Sequence, residues 1–140
     1  MTLVEMLVVL AIVGVSSGMV ILAVGGERSN LAAQTEANRL ADRLRLAADE
    51  ALISSRPIML QMSPTGYAFV ATGSSVGDWG DLHELPSGVR LSAESREMTI
   101  DPDSSAPPAV MTVRDKRQAW LLTFDGLNVE VRPGPIGTAA

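Results

Sequence analysis

The chain has 140 residues, no cysteine and a formal net charge of −5, and 46% of its residues are hydrophobic. This length accommodates one small globular domain beside an apolar amino-terminal segment, and it excludes a second domain of ordinary size. The lack of cysteine excludes disulfides and thiolate metal sites without fixing the compartment, and the acidic balance disfavours nucleic-acid binding, which needs a basic surface.

The amino-terminal stretch contains a run of 19 residues without a charge, from Met6 to Val24. In a helix that rises about 1.5 Å per residue, this run is about 28 Å long. That length matches a bilayer core of about 30 Å and predicts a transmembrane helix. Its acidic front and its length do not fit a secretory signal peptide, although the small residues after Leu22 leave that alternative open. An ordinary single-pass anchor is a further alternative that explains the length.

Glu5 lies at the edge of the apolar run, one turn from the amino terminus. A carboxylate in that position costs on the order of 3 kcal/mol or more, so it predicts a functional role and a charged partner. The candidate partner is a terminal ammonium, which would neutralise Glu5 in a surrounding of low dielectric constant. A plain membrane anchor does not account for this residue.

The start of the chain resembles the mature amino terminus of type IV pilins and type II secretion pseudopilins. It has a small residue, an aliphatic pair and Glu5, and these lead directly into the apolar run. The resemblance implies that a basic leader is cleaved before Met1, that the new amino terminus is methylated, and that Glu5 pairs with the amino terminus of a neighbouring subunit during assembly. The family usually has Phe at the first position. Met1 is therefore either the natural first mature residue or a start codon that replaced the leader.

Gly14 and Gly18 are four residues apart inside the apolar run, with Ser17 between them. Small residues at this spacing let helices approach closely in lipid, so the pair is a candidate helix–helix packing position. The motif is common, because Gly is frequent in membrane helices.

After Gly25 and Gly26, which are predicted to mark the exit from the membrane, the pattern becomes amphipathic. Apolar residues recur at spacings of three and four, which is typical of one buried helical face: Ala33, Ala37, Leu40, Leu44, Ala47 and Ala51. A second group is predicted to widen that face toward the carboxyl end: Leu46, Ala48, Leu52 and Ile53. Asp42 and Arg45 are spaced to pair weakly, and Pro57 is predicted to end the helix.

Beyond Pro57 the hydrophobic period is two, which is typical of strands. Residues 58–62 and 67–71 flank a turn at 63–66 and predict a hairpin. Further strands are predicted at 89–93, 98–101, 109–114 and 119–124. Residues 73–88 are predicted to be a polar Gly-rich loop and 101–108 an exposed loop. Asp125-Gly126 predicts a two-residue hairpin turn, followed by a strand in which Leu127, Val129 and Val131 share one face.

A narrower resemblance rests on residues 44–70. Four features in this stretch resemble the H class of minor pseudopilins and related minor pilins. They are an acidic residue followed by Glu and Ala near the end of the helix, the Arg56-Pro57 break, an apolar strand, and a strand that begins Gly66-Tyr67-Ala68-Phe69. Trp79 and residues 85–91 continue this likeness, and over 94–140 it is general only. It implies an α+β, pilin-like fold, in which a long amino-terminal α-helix, its first half transmembrane, packs on a small antiparallel β-sheet domain.

Four segments follow from this expectation. Residues 1–26 are predicted to form the transmembrane and assembly helix, and residues 27–56 its amphipathic continuation. Residues 57–132 are predicted to form a periplasmic β-rich domain, and 133–140 a mobile tail rich in Gly and Pro.

Catalysis and cofactor binding find little support in the sequence. His83, the single histidine, has no second His or Cys as a companion and is predicted to be a surface residue in a loop beside Glu84. Asp101 and Asp103 have the spacing of some calcium loops, but no closing glutamate follows, so a metal is disfavoured there. A basic cluster is predicted to be a solvated turn: Arg114, Lys116 and Arg117. No Gly-rich phosphate loop is present, so any filament extension must draw energy from a separate ATPase.

The resemblance thus implies a structural role without a cofactor: a minor pseudopilin that enters the periplasmic pseudopilus of a type II secretion system near its tip. The implied partners are other minor pseudopilins, the major pseudopilin, the prepilin peptidase, the inner-membrane assembly platform and the membrane itself, with secreted cargo as a further candidate. The implied location is the bacterial inner membrane, crossed once, with the carboxyl-terminal domain in the periplasm. Two alternatives stay open: a minor type IV pilin that primes pilus assembly or DNA uptake, and a single-pass periplasmic adaptor or receptor.

Overall fold

The structure is a computed structural model that describes residues 2–15, 31–71, 76–103 and 106–136. The chain divides into two compact units, Met1–Leu31 and Ala32–Ala140. In the first unit, residues 3–15 form a helix, α1. Among the helices of the described residues, none combines the length and the apolar character that a bilayer crossing requires. Most of the second half of the predicted transmembrane run, together with Gly25 and Gly26, lies outside the described residues.

The second helix, α2, spans Ala32–Ser54 and buries the face that the sequence predicts. All six residues of the predicted stripe are buried: Ala33, Ala37, Leu40, Leu44, Ala47 and Ala51. The Asp42–Arg45 pair is also confirmed, with Arg45 Nη1 2.9 Å from Asp42 Oδ1. The helix ends before Pro57, as predicted, because Ser55 takes a left-handed backbone conformation with φ of 53°, which stops the helical hydrogen-bond pattern.

The predicted widening of this face is correct only at Ala48, which is buried. Leu46 and Leu52 are each 49% exposed, and Ile53 is 83% exposed. With 3.6 residues per turn, Ala48 is rotated only about 60° from the centre of the stripe, whereas Leu46, Leu52 and Ile53 are rotated by about 100° or more. These three side chains therefore form an apolar flank on the outer side of α2.

The strands form two four-stranded antiparallel sheets, rather than the single small sheet that the sequence predicts. The strands are β1 (Ile58–Ser63), β2 (Gly66–Ala71), β3 (His83–Glu84), β4 (Arg90–Ala93), β5 (Glu97–Ile100), β6 (Ala109–Arg114), β7 (Ala119–Phe124) and β8 (Val129–Pro133). Sheet 1 has the order β3-β2-β1-β5, and sheet 2 has the order β4-β6-β7-β8. Strands β4 and β5 are neighbours in sequence but belong to different sheets, so residues 94–96 carry the chain from one sheet to the other.

Most strand predictions are confirmed, and β6 and β7 have the predicted limits. The β1–β2 hairpin closes at the predicted turn, with Ser63 opposite Gly66. The predicted loop at 73–88 is wrong in part, because it contains a short 3-10 helix, Asp78–Gly80, and strand β3. Strand β3 pairs with β2 through Tyr67 and His83. A two-residue strand is too short to produce a hydrophobic period, so the sequence pattern does not reveal it.

The predicted two-residue turn at Asp125-Gly126 is wrong, because the β7–β8 hairpin has a four-residue loop. Asp125 Oδ1 accepts the backbone N–H groups of Leu127 at 2.9 Å and Asn128 at 2.7 Å. These bonds hold the pKa of Asp125 below its ordinary value. Gly126 takes a φ of 105°, and Leu127 is 54% exposed in the loop rather than part of a strand. The Asp side chain therefore selects a longer loop than the dipeptide pattern suggests.

The core lies between the buried face of α2 and the inward faces of the two sheets. It forms one cluster that joins Leu40 and Leu44 of α2 to Leu60 and Ile100 of sheet 1 and Leu122 of sheet 2. Each of these side chains is at most 1% exposed. A side-chain hydrogen bond adds to this packing, since Arg45 Nη2 donates to the backbone carbonyl of Val129 at 3.0 Å. Helix and sheets thus form one hydrophobic core.

Gly66 of β2 lies close to the backbone of β3. A Cβ at this position would be 2.7 Å from the backbone oxygen of His83. We expect Gly66→Ala to lower the unfolding free energy by about 1–3 kcal/mol, because the strands must move apart. Gly134→Ala is the matched control, since its Cβ would meet no atom closer than 3.5 Å. Denaturation followed by tryptophan fluorescence measures both variants, and equal stabilities would contradict this account of the strand contact.

Candidate functional site

Helix α1 presents an apolar surface along its whole described length. Ten large apolar side chains between Leu3 and Val15 are each more than half exposed. A continuous apolar surface of this kind requires a cover of lipid or protein. The first candidate site is therefore α1 itself, with the predicted site residues Glu5 and Gly14 on it.

Glu5 lies exposed on the first turn of α1, and its backbone N–H is held by Thr2. The Glu5 N–H donates to the Thr2 carbonyl oxygen at 3.1 Å and to Thr2 Oγ1 at 3.4 Å. Thr2 is thus the helix N-cap, and the spacing Thr2-x-x-Glu5 is that of a capping box. Sequence reasoning missed Thr2, although this spacing was a signal that could have revealed it. A carboxylate in the first turn is also favoured by the helix dipole.

Two of the four predicted site residues lie outside the described residues: Met1 and Gly18. Within the described ranges Glu5 makes no ion pair, so its pairing with an ammonium group stays a prediction. A Cβ at Gly14 would meet no atom within 4 Å. No described contact within the chain therefore requires glycine at this position, and the space beside it is open.

A second candidate site is a polar cluster on the buried face of α2. Glu36 is the buried charged residue of the described core, at 3% exposure. Its Oε1 accepts from Arg39 Nη1 at 2.7 Å, and its Oε2 lies 2.7 Å from His83 Nε2. Because His83 belongs to β3, this hydrogen bond fastens α2 to the edge of sheet 1.

His83 corrects the expectation of a free surface histidine, since its side chain is only 18% exposed and bonded to Glu36. The period of α2 held a signal for this contact. Glu36 lies three residues after Ala33 and four before Leu40, so it falls on the buried stripe. A carboxylate at such a position needs a partner from another element.

Tyr67 packs beside this cluster. Its ring centroid is 5.2 Å from that of His83, and the guanidinium carbon of Arg43 lies 5.6 Å from the Tyr67 ring centroid. Tyr67 Oη and Arg43 Nη1 are buried, and neither has a hydrogen-bond partner in the part of the chain that is described. Burial raises the pKa of Tyr67 to about 12, and the positive charge of Arg43 opposes that rise. A phenol that is 1% exposed has no access to a substrate, so the cluster serves packing.

Asp101 begins a turn in the loop that follows β5. Asp101 Oδ1 accepts the backbone N–H of Asp103 at 3.0 Å. Residues 104 and 105, which continue the loop, are outside the described ranges. Over the described residues, no three His, Asp or Glu side chains come together in a group that could hold a metal ion.

No family model matches the chain. The chain is 29% identical over 97 residues to type II secretion system protein H of Pseudomonas aeruginosa, a match that covers 66% of this chain and 56% of that relative. It is also 29% identical over 122 residues to type II secretion system protein H of Escherichia coli, covering 81% and 72%. The chain thus spans little more than half of the Pseudomonas relative.

Two solved structures have a similar fold. The minor pseudopilin EpsH from the type 2 secretion system of Vibrio cholerae matches with a TM-score of 0.60 and 16% identity, covering 73% of this chain and 97% of that one. The type IV minor pilin FimU of Pseudomonas aeruginosa matches with a TM-score of 0.58 and 17% identity, covering 76% and 91%. The predicted pilin-like α+β fold is confirmed by these matches, apart from its transmembrane half.

Proposed function

We propose, on the premise of the confirmed similarity to type II secretion system protein H, that this chain is a minor pseudopilin. It is a structural subunit that assembles into the periplasmic pseudopilus of a type II secretion system, near its tip. The observation that carries the proposal is the exposed apolar helix α1, with Glu5 on its first turn, in a chain whose second unit has a pilin-like fold. Its relatives are structural subunits, which supports a role in assembly rather than turnover.

Assembly replaces the lipid around α1 by the helices of neighbouring subunits. Lipid tails are as apolar as the side chains of α1, so this exchange contributes little hydrophobic free energy. Close packing and charge pairing therefore decide the order and register of the subunits. The open space at Gly14 admits a neighbouring helix, and Glu5 supplies a charge for the methylated amino terminus, Met1, of the next subunit.

The location and partners follow from this role. Before assembly the chain lies in the bacterial inner membrane, crossed once by its apolar amino-terminal run, with residues 32–140 in the periplasm. The 19-residue length of that run supports this placement. The partners are other minor pseudopilins of the tip complex, the major pseudopilin, the prepilin peptidase and the inner-membrane assembly platform.

Replacing the carboxylate by an amide tests the proposal. Glu5→Gln keeps the capping spacing, because Gln also serves at that position of a capping box. We expect membrane insertion to be unchanged while co-purification with other pseudopilins and secretion fall. An ion pair broken at low dielectric costs on the order of 3 kcal/mol, which is roughly a hundredfold in an equilibrium constant. Membrane fractionation, affinity purification and a secretion assay measure the three quantities.

The control for this variant is Glu94→Gln, which removes the same charge from an exposed position in the second unit. We expect it to leave recruitment and secretion unchanged. If Glu5→Gln also left recruitment unchanged, Glu5 would have no part in the assembly mechanism.

A minor type IV pilin is the second candidate, because the fold of FimU matches almost as well as that of EpsH. Deleting the chain distinguishes the two functions. A minor pseudopilin is needed for secretion of folded proteins while surface pili persist, whereas a minor pilin is needed for pili while secretion persists.

A further inference from the structure

The outward face of sheet 2 carries a concentration of positive charge. Arg90 of β4 lies directly opposite Arg114 of β6, and both side chains are exposed. Arg132 of β8 is on the same face, since it lies opposite Leu121, which in turn lies opposite Thr112. The β6–β7 turn adds Lys116 and Arg117 at the end of the sheet. We call the surface formed by Arg90, Arg114, Lys116, Arg117 and Arg132 the basic face.

Three of these five charges have no acidic partner among the described residues. Like charges directly opposite each other on neighbouring strands are destabilising. Among the described residues, Arg90, Arg114 and Lys116 make no ion pair. Asp115, the acid of the adjoining turn, makes its hydrogen bonds within that turn. Its Oδ1 accepts the backbone N–H groups of Arg117 at 2.7 Å and Gln118 at 2.8 Å. The fold therefore tolerates an unfavourable charge pair.

The middle of the same face carries uncharged side chains. Val110 is 46% exposed, and Thr112, Leu121 and Thr123 are half-buried. An uncharged centre with arginines at its rim has the composition of a protein–protein interface. Glu130, opposite Thr123, is the acid at the far end of the face. Arg90, Arg114 and the β6–β7 turn thus place most of the positive charge at the opposite end, with Arg132 between that end and Glu130.

We propose that the basic face docks an acidic surface of another subunit of the same filament; the class of partner rests on the proposed function. Charge complementarity supports this occupant. The chain has a net charge of −5, yet five of its 11 Lys and Arg residues are on this face. An acidic partner is therefore attracted here and repelled by the rest of the surface, which fixes its orientation. A nucleic acid fits less well, because its phosphate backbone requires a longer basic track and is repelled by the net charge.

Arg114→Thr tests the proposal in the full chain, in cells that make the secretion system. A photo-crosslinking amino acid replaces Thr112, and mass spectrometry maps the crosslinked peptide. We expect a crosslink to another filament subunit within a segment rich in Asp and Glu. We also expect Arg114→Thr to lower its yield about tenfold, as loss of an interfacial charge pair weakens binding. The matched control, Arg96→Thr, changes the same charge in the exposed turn before β5 and leaves the yield unchanged.

The stability of Arg114→Thr separates docking from a structural role. Removing Arg114 relieves the repulsion from Arg90, and Thr is favoured in strands. We therefore expect an unfolding midpoint that is equal to or higher than that of the unchanged chain. A variant that loses both the crosslink and stability would overturn the proposal, as would equal losses for Arg96→Thr.

A second crosslinker, at Leu10 of α1, distinguishes failure of this inference from failure of the proposed function. If Leu10 crosslinks to other pseudopilins while position 112 gives no crosslink, or crosslinks to nucleic acid or lipid, the docking face is wrong and the subunit role stands. If neither position crosslinks to a pseudopilin, both proposals fail.

Discussion

Leu44→Ala is expected to lower the unfolding free energy of the 32–140 unit by about 3 kcal/mol, within the range of 2–5 kcal/mol typical of such truncations. Leu44 is 0% exposed and belongs to the core cluster that joins α2 to both sheets. The residues beside it on the buried face of α2 include Ala41, Ala47 and Ala48, whose short side chains cannot extend to fill a cavity. Denaturant titration measures the loss through Trp79 and Trp120, the two tryptophans of the chain.

Leu46→Ala is the matched control, because it makes the same chemical change on the same helix at a residue that is 49% exposed. We expect its effect to stay within about 0.5–1 kcal/mol. If both substitutions cost the same, the apolar flank of α2 would be part of the core, as the sequence pattern predicts and the structure contradicts.

Raising the pH from 10 to 12 is expected to remove about 2–3 kcal/mol of stability through Tyr67 alone, at about 1.4 kcal/mol per pKa unit. Its pKa is 10.0 in the unfolded chain and about 12 in the folded one, because burial disfavours the phenolate. The unfolded state therefore releases its proton first, and stability falls as the pH rises between these two values. Below pH 10 this contribution is fully present. The chain has a single tyrosine, so ultraviolet absorbance of the tyrosinate reports the titration directly.

Tyr67→Phe isolates this contribution. The variant has no phenol to ionise, so the part of the alkaline loss that belongs to Tyr67 disappears. At neutral pH we expect its stability to be unchanged or higher, since a buried hydroxyl without a partner costs about 1–3 kcal/mol and Tyr67 Oη is such a group. The Phe ring keeps the contact with the Arg43 guanidinium. An alkaline loss equal to that of the unchanged chain would show that the phenol is not the titrating group.

Local periodicity was sufficient to predict the elements whose burial follows one pattern. The six-residue stripe of α2 and the alternating strands β1, β2, β6 and β7 all have the predicted positions. In each of these elements the apolar residues repeat with one period, 3.6 residues in the helix or 2 in the strands, and that period matches one buried face. Leu52 and Ile53 show the limit of this reasoning, because hydrophobic character alone does not fix which side of a helix meets the core.

Features that depend on distant partners could not be predicted. The bond between Glu36 and His83 joins residues 47 positions apart, and no local pattern encodes which strand lies beside α2. The division into two sheets has the same origin. Strand β4 pairs with β6 and strand β5 with β1, and the residues between them carry no signal of that choice. In the candidate site, Glu5 could be predicted from the sequence because placing a carboxylate beside an apolar run costs free energy. Thr2, the N-cap of α1, was missed.

The hydrogen bond from Arg45 to Val129 spans 84 positions of sequence, and β8 is the last of the described strands in chain order. Contacts this distant form slowly, because a long loop must close first. The apolar stripe of α2 is therefore fully covered only after both sheets have been synthesised. Any pause in synthesis prolongs the time during which Leu40 and Leu44 are open to proteases and to aggregation.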